Sequence, residues 1–271
     1  MTILVTGATA NIGRKVVDHV LAAGCSDVRA LTTDPRRAAL PPEVEVAEGY
    51  IGRPDSLGAA FEGVDRMYLA PSPGTVTEVL ALARAAGVRH VVDLSGEPES
   101  WWGTVCTAVE NSGLSWTHLW PADFMENSIM WAHQIRETGT VREPYPQAAT
   151  APIAMDDIAA VAATALLAED TGNRALTLSG PEVLTRVELL DHIATALGRE
   201  LTFEQASRDD TVAALAPSMG ERANWYVDSV LTGYSPDPAT LPLTSVTDIT
   251  GRPPTTFAAW AAANTAAFTT A

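Results

Sequence analysis

Two glycines near the amino terminus bracket the segment best suited to binding a charged ligand. Gly7 follows the largely apolar residues 2–6, and Gly13 opens a stretch with helical spacing that continues to about Gly24. A glycine turn between a strand and a helix aims backbone N–H groups and the positive helix end at one point, which suits a pyrophosphate. Gly7 permits a left-handed backbone conformation, and Gly13 lets the helix approach the strand closely. The segment therefore predicts a turn that binds a dinucleotide.

The residues that follow the second strand indicate which dinucleotide the turn would bind. An Asp or Glu at the end of that strand would accept hydrogen bonds from a ribose 2′-hydroxyl, but this strand ends with Thr32 and Thr33. Arg14, Arg36 and Arg37 could instead bind a 2′-phosphate through charge-assisted hydrogen bonds. The aspartate beside them argues mildly for NADH, and an ordinary exposed position is the alternative for Arg37. On balance these residues favour NADPH.

Strands and helices alternate over the first half of the chain, and this alternation places the candidate residues. It predicts an α/β fold, a Rossmann-like doubly wound parallel sheet covered on both faces by right-handed crossovers. Ligands of such sheets bind beyond the carboxyl ends of the strands, so the residues after each strand should form the site. The predicted strands are residues 2–6, 28–32, 44–47, 66–70, 90–94 and 116–120. The predicted cofactor contacts are Gly7, Thr9, Asn11, Ile12, Gly13, Arg14, Thr32, Thr33, Arg37, Ala70, Pro71, Ser95, Pro121 and Phe124.

Helical segments and proline-rich loops predominate in the second half of the chain. We expect one NAD(P)-binding chain with a core at about residues 1–125 and a small, mainly helical substrate lobe at about residues 126–271. Segments at about residues 151–180 should return to the core. Asp156 and Asp157 are expected to cap a helix, because Asp accepts the first N–H groups. The further predictions are a helix at 153–167, a strand at 175–178 and a loop at 141–147.

Composition and charge restrict the class of partner. The 271 residues are 46% hydrophobic, enough for a large core with a smaller lobe. A formal net charge of −16 argues against nucleic acid or an anionic membrane, since both attract basic surfaces. Only Cys25 and Cys106 occur, no apolar run is long enough to span a bilayer, and nothing resembles a signal peptide. We therefore expect a cytoplasmic monomer or small homo-oligomer that acts on a small molecule and has no disulfide framework.

Six further short motifs accompany the glycine turn and are specific as a set. The motifs, with the turn, are Gly-Ala-Thr-Ala-Asn-Ile-Gly at 7–13, Ala-Ala-Gly-Val-Arg-His-Val-Val at 85–92, Ser-Gly-Leu-Ser-Trp-Thr at 112–117, Pro-Ala-Asp-Phe-Met-Glu-Asn at 121–127, Met-Asp-Asp-Ile-Ala at 155–159, Leu-Ser-Gly-Pro at 178–181 and Thr-Gly-Arg-Pro-Pro at 250–254. Together they resemble the NmrA-like family of atypical short-chain dehydrogenases/reductases over nearly the whole chain. The resemblance implies an NADP-binding Rossmann sheet with a small carboxyl-terminal substrate lobe. It also implies that the segment starting at Pro121 lies near the nicotinamide.

The chain departs from the family pattern in two places. Residues 49–50 read Gly-Tyr where the family usually has Gly-Asp before the adenine, and residues 120–121 read Trp-Pro where it usually has Arg-Pro. These departures leave the adenine contacts open. Within the family the chain resembles the ketoreductases that act on angucyclinones, as in simocyclinone biosynthesis.

The usual acid of short-chain reductases is missing from this sequence. Those enzymes protonate the new alkoxide with a Tyr whose pKa is lowered by a Lys four residues later. The only lysine here is Lys15, beside the phosphate turn, and none of the five tyrosines precedes a lysine at that spacing. Arginine stays protonated and cannot take over as a proton shuttle. The proton must therefore come from elsewhere, or the protein is not a reductase.

Two side chains are candidates for the missing acid. Ser95 ends the fifth strand, where the family's catalytic Ser or Thr would lie, but a lone hydroxyl is a weak acid and often only bonds to backbone. His133 lies on a predicted helix near residues 123–127 and suits proton transfer near neutral pH, with a surface position as the alternative. Tyr145 and Tyr226 are weaker candidates, and no metal site is predicted. The remaining histidines, His19, His90, His118 and His192, are interpreted as structural.

The substrate itself offers a third source of the proton. A ketone flanked by a phenolic hydroxyl can stabilise the developing oxyanion and protonate it, so the protein would mainly hold the carbonyl and the hydride donor together. A flat ligand could stack on tryptophans, although most of these are expected in the core. The tryptophans considered are Trp101, Trp102, Trp116, Trp120, Trp131 and Trp225. The predicted substrate contacts are Ser95, Phe124, Asn127, His133, Trp102 and Trp225.

The function that these observations favour is NADPH-dependent reduction of a bulky ketone. The predicted substrate is a polycyclic aromatic polyketide of the angucyclinone type, as in antibiotic biosynthesis. A non-catalytic NADP-binding regulator of the NmrA type fits the missing Tyr–Lys pair equally well. An isomerase or cyclase that keeps the fold without net redox chemistry is the third class. Consumption of NADPH would separate the first class from the other two.

Overall fold

The computed structural model describes residues 1–100, 102–231 and 246–269. The strands are β1 (Thr2–Val5), β2 (Val28–Thr32), β3 (Glu45–Glu48), β4 (Val64–Leu69), β5 (His90–Leu94), β6 (Ser115–Pro121), β7 (Thr140–Glu143), β8 (Ala149–Thr150), β9 (Arg174–Leu178), β10 (Leu184–Thr185) and β11 (Thr202–Gln205). The α-helices are α1 (Asn11–Ala22), α2 (Gly58–Phe61), α3 (Val76–Ala85), α4 (Gly103–Glu110), α5 (Ala132–Thr138), α6 (Met155–Leu167), α7 (Arg186–Leu197), α8 (Arg208–Met219), α9 (Arg222–Trp225), α10 (Val246–Thr250), α11 (Phe257–Ala263) and α12 (Thr265–Thr269).

The chain divides into two compact units, which we call the sheet unit and the helical unit. The sheet unit comprises Met1–Pro121, Met155–Leu178 and Thr247–Arg252. The helical unit comprises Ala122–Ala154, Ser179–Val246 and Pro253–Ala271. Within the described ranges, no helix is both long and apolar enough to cross a lipid bilayer.

Seven strands of the sheet unit form one parallel sheet in the order β3-β2-β1-β4-β5-β6-β9. The central strands are mostly buried, because helices cover a parallel sheet on both faces. The predicted Rossmann-like fold class is confirmed, and β9 is the strand expected at residues 175–178. The strand order reverses between β1 and β4, which is the point of such sheets where ligands bind.

Helices α1 and α6 pack against each other in the sheet unit. The face of α1 that carries Val16 and Val20 is buried, as the spacing of four residues requires. Helix α6 begins at Met155, so Asp156 and its neighbour lie inside the first turn rather than before it, and the predicted cap is wrong. Asp156 Oδ1 instead lies 3.2 Å from Nε2 of His19 on α1. The carboxylate thus links α6 to α1 while it complements the positive end of its own helix.

The helical unit contains two small sheets beside its helices, in which β7 pairs with β11 in parallel and β8 pairs with β10 antiparallel. Residues 141–147 were expected to form a loop. This prediction is wrong for residues 141–143, which belong to β7. Val141 is fully buried in the core of the unit. Glu143 is also buried, 2.5 Å from the guanidinium of Arg186 at the start of α7, and it accepts a hydrogen bond from Nε1 of Trp131 at 2.7 Å. Strand β7 pairs with β11, about 60 residues later in the chain, and this pairing outweighs the preference of the proline-containing segment for a loop.

Candidate cofactor site and active site

The turn between β1 and α1 has the geometry of a phosphate-binding loop. Gly7 has a φ of +60°, and its carbonyl oxygen accepts a hydrogen bond from Ala10 N at 2.9 Å. Helix α1 then begins at Asn11 with no side chain capping it and no acidic residue in its first turn. A Cβ added at Gly13 would lie 2.6 Å from the carbonyl carbon of Gly7, and closer still to the oxygen. This tight, uncapped helix end fits the diphosphate of a dinucleotide.

The buried hydroxyl of Thr6 holds the ends of β1 and β4 together beside this turn. Its Oγ1 donates a hydrogen bond to the carbonyl oxygen of Tyr68 at 3.0 Å and accepts one from Ala70 N at 2.8 Å. Ala70 and Pro71, predicted to contact the cofactor, therefore follow β4 next to the glycine turn. Thr6 was not among the predicted contacts, although a hydroxyl at the end of a buried apolar strand is a signal that the sequence offers.

The end of β2 presents two unengaged guanidinium groups. Asp34 Oδ1 accepts a hydrogen bond from Arg36 N at 3.1 Å and so caps the short 3₁₀ turn Pro35–Arg37. The Asp34 carboxylate therefore has a structural role in capping this turn, and its presence is no longer an argument for NADH. The side chains of Arg36 and Arg37 are exposed, and in the described ranges neither makes an ion pair. Arg14, by contrast, donates to Ala39 O at 2.8 Å and pairs with an aspartate on its own helix.

A buried pair of ionisable residues lies behind Ser95 at the end of β5. Asp93 and His118 face each other across β5 and β6, with Asp93 Oδ2 2.6 Å from His118 Nδ1, and both side chains are fully buried. Burial raises the pKa of the Asp93 carboxyl, while His118 and the nearby Ser95 hydroxyl act in the opposite direction. His118 was interpreted as structural from the sequence and Asp93 was not a candidate, because only the strand register brings the two together.

Unsatisfied polar atoms are grouped at the same strand ends. In the described part of the chain, Asp93 Oδ1, Ser95 Oγ and Trp120 Nε1 are buried and complete no hydrogen bond. Ser95 N donates to Leu119 O at 3.2 Å, which places Ser95 beside Trp120 in register. Buried polar atoms are normally hydrogen-bonded. Three unsatisfied ones at the carboxyl ends of neighbouring strands indicate a position for a polar ligand atom.

Two predicted contacts lie where the chain leaves β6, in the helical unit. Phe124 is held by a parallel bridge to Ile153, with Met125 N donating to Ile153 O at 3.0 Å. The amide of Asn127 donates to Asp123 Oδ1 at 2.5 Å, so this segment is closely tied together. Phe124 and Asn127 are half-buried, which leaves part of each side chain accessible to a ligand.

The remaining candidates are spread over both units. His133 lies on α5 of the helical unit and is half-buried. Trp225 and Tyr145 of the same unit are exposed, whereas Tyr226 is buried in a small apolar cluster. Trp102, in the sheet unit, is exposed and directly precedes α4. The catalytic and substrate-binding roles of these residues stay predictions.

The first comparison with known proteins concerns the cofactor. Residues 7–97 match a family model described as NAD(P)H-binding. The match begins at the first glycine of the turn and ends just beyond Ser95, so it covers the predicted contacts of the first five strands. The predicted nicotinamide cofactor is confirmed.

Two curated relatives align with nearly the whole chain. The (4-alkanoyl-5-oxo-2,5-dihydrofuran-3-yl)methyl phosphate reductase of Streptomyces griseus is 36% identical over 98% of this chain and 99% of its own length. The NAD(P)H azoreductase of Xenophilus azovorans is 33% identical over 98% of this chain and 99% of its own length. The resemblance to angucyclinone ketoreductases is a finer prediction that these relatives do not test.

Two solved structures share the fold over nearly the whole chain. The triphenylmethane reductase of Citrobacter sp., complexed with NADP(H), has a TM-score of 0.85 at 20% identity and covers 98% of this chain and 100% of its own. The NADPH-dependent quinone oxidoreductase of Escherichia coli, complexed with NADPH, has a TM-score of 0.85 at 21% identity and covers 97% of this chain and 99% of its own.

Proposed function

This chain belongs to the family of NAD(P)H-dependent oxidoreductases that includes its two full-length relatives, and from that premise we propose that it is an NADPH-dependent reductase of a conjugated carbonyl compound. The narrower proposal is the one made from the sequence, a bulky polycyclic aromatic ketone. The nicotinamide would supply the hydride. The protein would bind the cofactor, orient the carbonyl and govern the proton.

The main support for this proposal is the position of Lys15, the only lysine of the sequence. Lys15 Nζ lies 3.7 Å from Asp156 Oδ1, on the helix pair α1–α6. The lysine is therefore engaged within the sheet unit and forms no Tyr–Lys pair with a described tyrosine. A reductase without that acid suits acceptors in which conjugation spreads the negative charge that hydride addition creates. Quinones, azo compounds and aryl ketones with a neighbouring hydroxyl share this property.

The names of the similar proteins agree with an acceptor of this kind. They include an azoreductase, a quinone oxidoreductase, a triphenylmethane reductase and a reductase of a dihydrofuran phosphate. The acceptors named for these proteins differ. We therefore propose for this chain the property that they share, conjugation that spreads the negative charge created by hydride addition, rather than any one acceptor. The exposed Trp102 of the sheet unit would offer ring surface to a flat substrate.

Individual residues of the sheet unit have assignable roles in this function. The turn from Gly7 to Gly13 would bind the diphosphate, and Arg36 and Arg37 would bind the 2′-phosphate. Ser95 Oγ, buried and unsatisfied, would donate a hydrogen bond to the carbonyl oxygen of the substrate. This bond would polarise the carbonyl and hold it at reacting distance from the hydride donor.

A turnover assay tests the proposal. NADPH oxidation would be followed at its absorbance maximum with menadione, an azo dye, α-tetralone and a tetralone that carries a peri-hydroxyl group. We expect oxidation with menadione and a faster rate with the hydroxylated tetralone than with α-tetralone. NADPH binding without oxidation by any acceptor would favour the regulator instead. Conversion of a compound without NADPH consumption would favour the isomerase or cyclase.

A further inference from the structure

We propose that Asp93 and His118 form a buried proton-supplying couple behind Ser95, which delivers the proton that a Tyr–Lys pair delivers in other short-chain reductases. This inference deepens the proposed function and rests on it. It concerns the source of the proton for substrates that cannot protonate themselves. Ser95 would be the catalytic residue, and the couple would act through it.

Asp93, His118 and Ser95 lie on a single face of the sheet, and the Ser95 hydroxyl is near enough to the Asp93 carboxyl to lower its pKa, although the two complete no hydrogen bond. Alternation along β5 puts Asp93 and Ser95 on the same face, and the register puts His118 of β6 opposite Asp93. His118 Nδ1 and Asp93 Oδ2 are 2.6 Å apart. The other carboxylate oxygen of Asp93 and the hydroxyl of Ser95 are the unsatisfied buried atoms. This group of three therefore ends in a hydroxyl at the carboxyl edge of the sheet, where ligands of this fold bind.

The chemistry balances with one hydride and one proton. Hydride addition to the carbonyl carbon breaks the C=O π bond and leaves two electrons on oxygen. That oxygen takes the proton of Ser95 Oγ, and Ser95 recovers a proton from the Asp93 carboxyl. Asp93 and His118 share the proton that is delivered, so its loss leaves a carboxylate beside a neutral imidazole. The product is an alcohol, NADPH becomes NADP⁺, and the couple ends one proton short.

Solvent can restore that proton on the far side of His118. Nε2 of His118 lies 3.9 Å from Oε1 of Glu110, a residue of α4 whose side chain is about half exposed. Cys106 Sγ lies 3.5 Å from the same nitrogen, and burial first of all raises the pKa of its thiol to about 11. The thiol therefore stays neutral, and a proton from solvent would reach His118 through the Glu110 carboxylate.

The other groups around the couple favour a protonated carboxyl. Tyr68 of β4 is buried, and desolvation together with the charge of Asp93 raises the pKa of its hydroxyl, so it stays neutral. Trp116 and Trp120 stack on either side of the His118 ring, at centroid distances of 4.1 and 5.9 Å. The titratable groups that face the couple are Tyr68, Cys106 and Glu110. No described lysine or arginine forms an ion pair with Asp93.

The test compares two ketones in the same variant. Asp93→Asn keeps the size of the side chain, and both Asp93→Asn and His118→Asn keep a hydrogen-bonding amide but cannot carry the transferable proton. Ser95→Ala removes only the hydroxyl. We expect kcat with α-tetralone to fall about 100-fold in each variant, the size of a lost general acid. KM should stay unchanged. With the peri-hydroxylated tetralone, which supplies its own proton, the fall should be several-fold smaller.

The control and the pH profile separate proton supply from packing. His90→Asn replaces a buried histidine on the opposite face of β5, 3.0 Å from Ser115 Oγ, and should lower both ketone rates alike or not at all. In the wild type the α-tetralone rate should fall as pH rises, because a proton donor must be protonated, and in Asp93→Asn this limb should be lost. Equal losses on both ketones, or an unchanged pH limb, would overturn the couple.

A second measurement does not depend on turnover. The short contact predicts a strongly downfield imidazole proton of His118 in the NMR spectrum of the wild type, absent in Asp93→Asn. Its absence from the wild type overturns the inference. If the buried variants do not fold, Ser95→Ala carries the two-ketone comparison. Oxidation of NADPH by menadione with no turnover of either ketone overturns the couple but not the reductase, whereas no oxidation by any acceptor overturns both.

Discussion

Gly13 has no room for a side chain, and this follows from one contact. Any Cβ there would overlap the carbonyl group of Gly7, which is main chain and cannot turn aside. Backbone displacement would move the N–H groups at the start of α1 away from the diphosphate. The proposed phosphate turn therefore requires glycine at this position.

We expect Gly13→Ala to abolish NADPH binding, because either the turn opens or the helix shifts. Titration of NADPH fluorescence measures the affinity, and circular dichroism checks that the protein is folded. Gly58→Ala is the matched control, since a Cβ at this helical glycine would meet nothing within 4 Å. Wild-type affinity in folded Gly13→Ala would contradict the assignment of the phosphate turn.

We propose that Arg37 makes the site prefer NADPH to NADH. Its guanidinium is exposed at the end of β2 and forms no ion pair with a described residue, as a 2′-phosphate partner should be. Arg37→Ala should weaken NADPH binding about 10-fold, the loss of a charge-assisted bond of about 1.4 kcal/mol, and leave NADH unchanged. Arg89→Ala, at the amino end of β5, removes the same charge and should affect neither cofactor. An equal loss for NADPH and NADH would argue against a 2′-phosphate contact.

Helices α1 and α6 are joined by a carboxylate whose contribution depends on pH. The hydrogen bond from His19 lowers the pKa of Asp156 below its usual 3.8, helped by the charges of Lys15 and Arg252 and opposed by desolvation. Since the folded pKa is the lower one, the stabilisation is present above the unfolded pKa and is lost as pH falls through the folded value.

Asp156→Asn should therefore lower the free energy of unfolding at neutral pH, and by no more than about 1 kcal/mol because the carboxylate is half exposed. In acid, well below the lowered folded pKa of Asp156, the wild type and the variant should be equally stable. Urea unfolding at the two pH values measures the difference. A difference that persisted in acid would show that the carboxylate charge is not its cause.

In the helical unit, β7 is joined to α7 by a buried ion pair. Glu143 accepts hydrogen bonds from both Arg186 and Trp131, and the guanidinium of Arg186 lies 4.6 Å from the centre of the Trp131 ring. Glu143→Ala would leave the buried Arg186 without this carboxylate, at a cost of about 3–5 kcal/mol. Glu204→Ala breaks the exposed pair with Arg142 on the neighbouring strand and should cost less than about 1 kcal/mol. Similar denaturation midpoints for the two variants would contradict this difference.

Each unit of the molecule has an apolar core of its own, and the matched NAD(P)H-binding segment lies in the sheet unit. A ligand that binds only the folded state stabilises it by mass action. NADPH at about one hundred times its Kd should stabilise the wild type by about 2.7 kcal/mol and raise its melting temperature. Differential scanning calorimetry measures the shift, and Gly13→Ala should show none. An equal shift in both proteins would place the binding away from the turn.

Local residue patterns were sufficient for the sheet and the cofactor turn. The Gly7–Gly13 spacing and the succession of apolar strands depend on neighbouring residues, so backbone geometry and burial follow from short segments. The second unit was less predictable. Strand β7 contains alternating buried residues, but its proline-rich surroundings favoured a loop, and its partner β11 lies too far along the chain to be inferred from local preference.

The residues that bear on proton supply show why tertiary structure was needed. Ser95 could be singled out because its place at a strand end is a local property. Asp93 and His118 could not, since they are 25 residues apart and a shift of one residue between β5 and β6 would turn one of them to the opposite face. Packing of the whole sheet sets that register and removes water from both side chains, and this burial changes how readily Asp93 holds a proton.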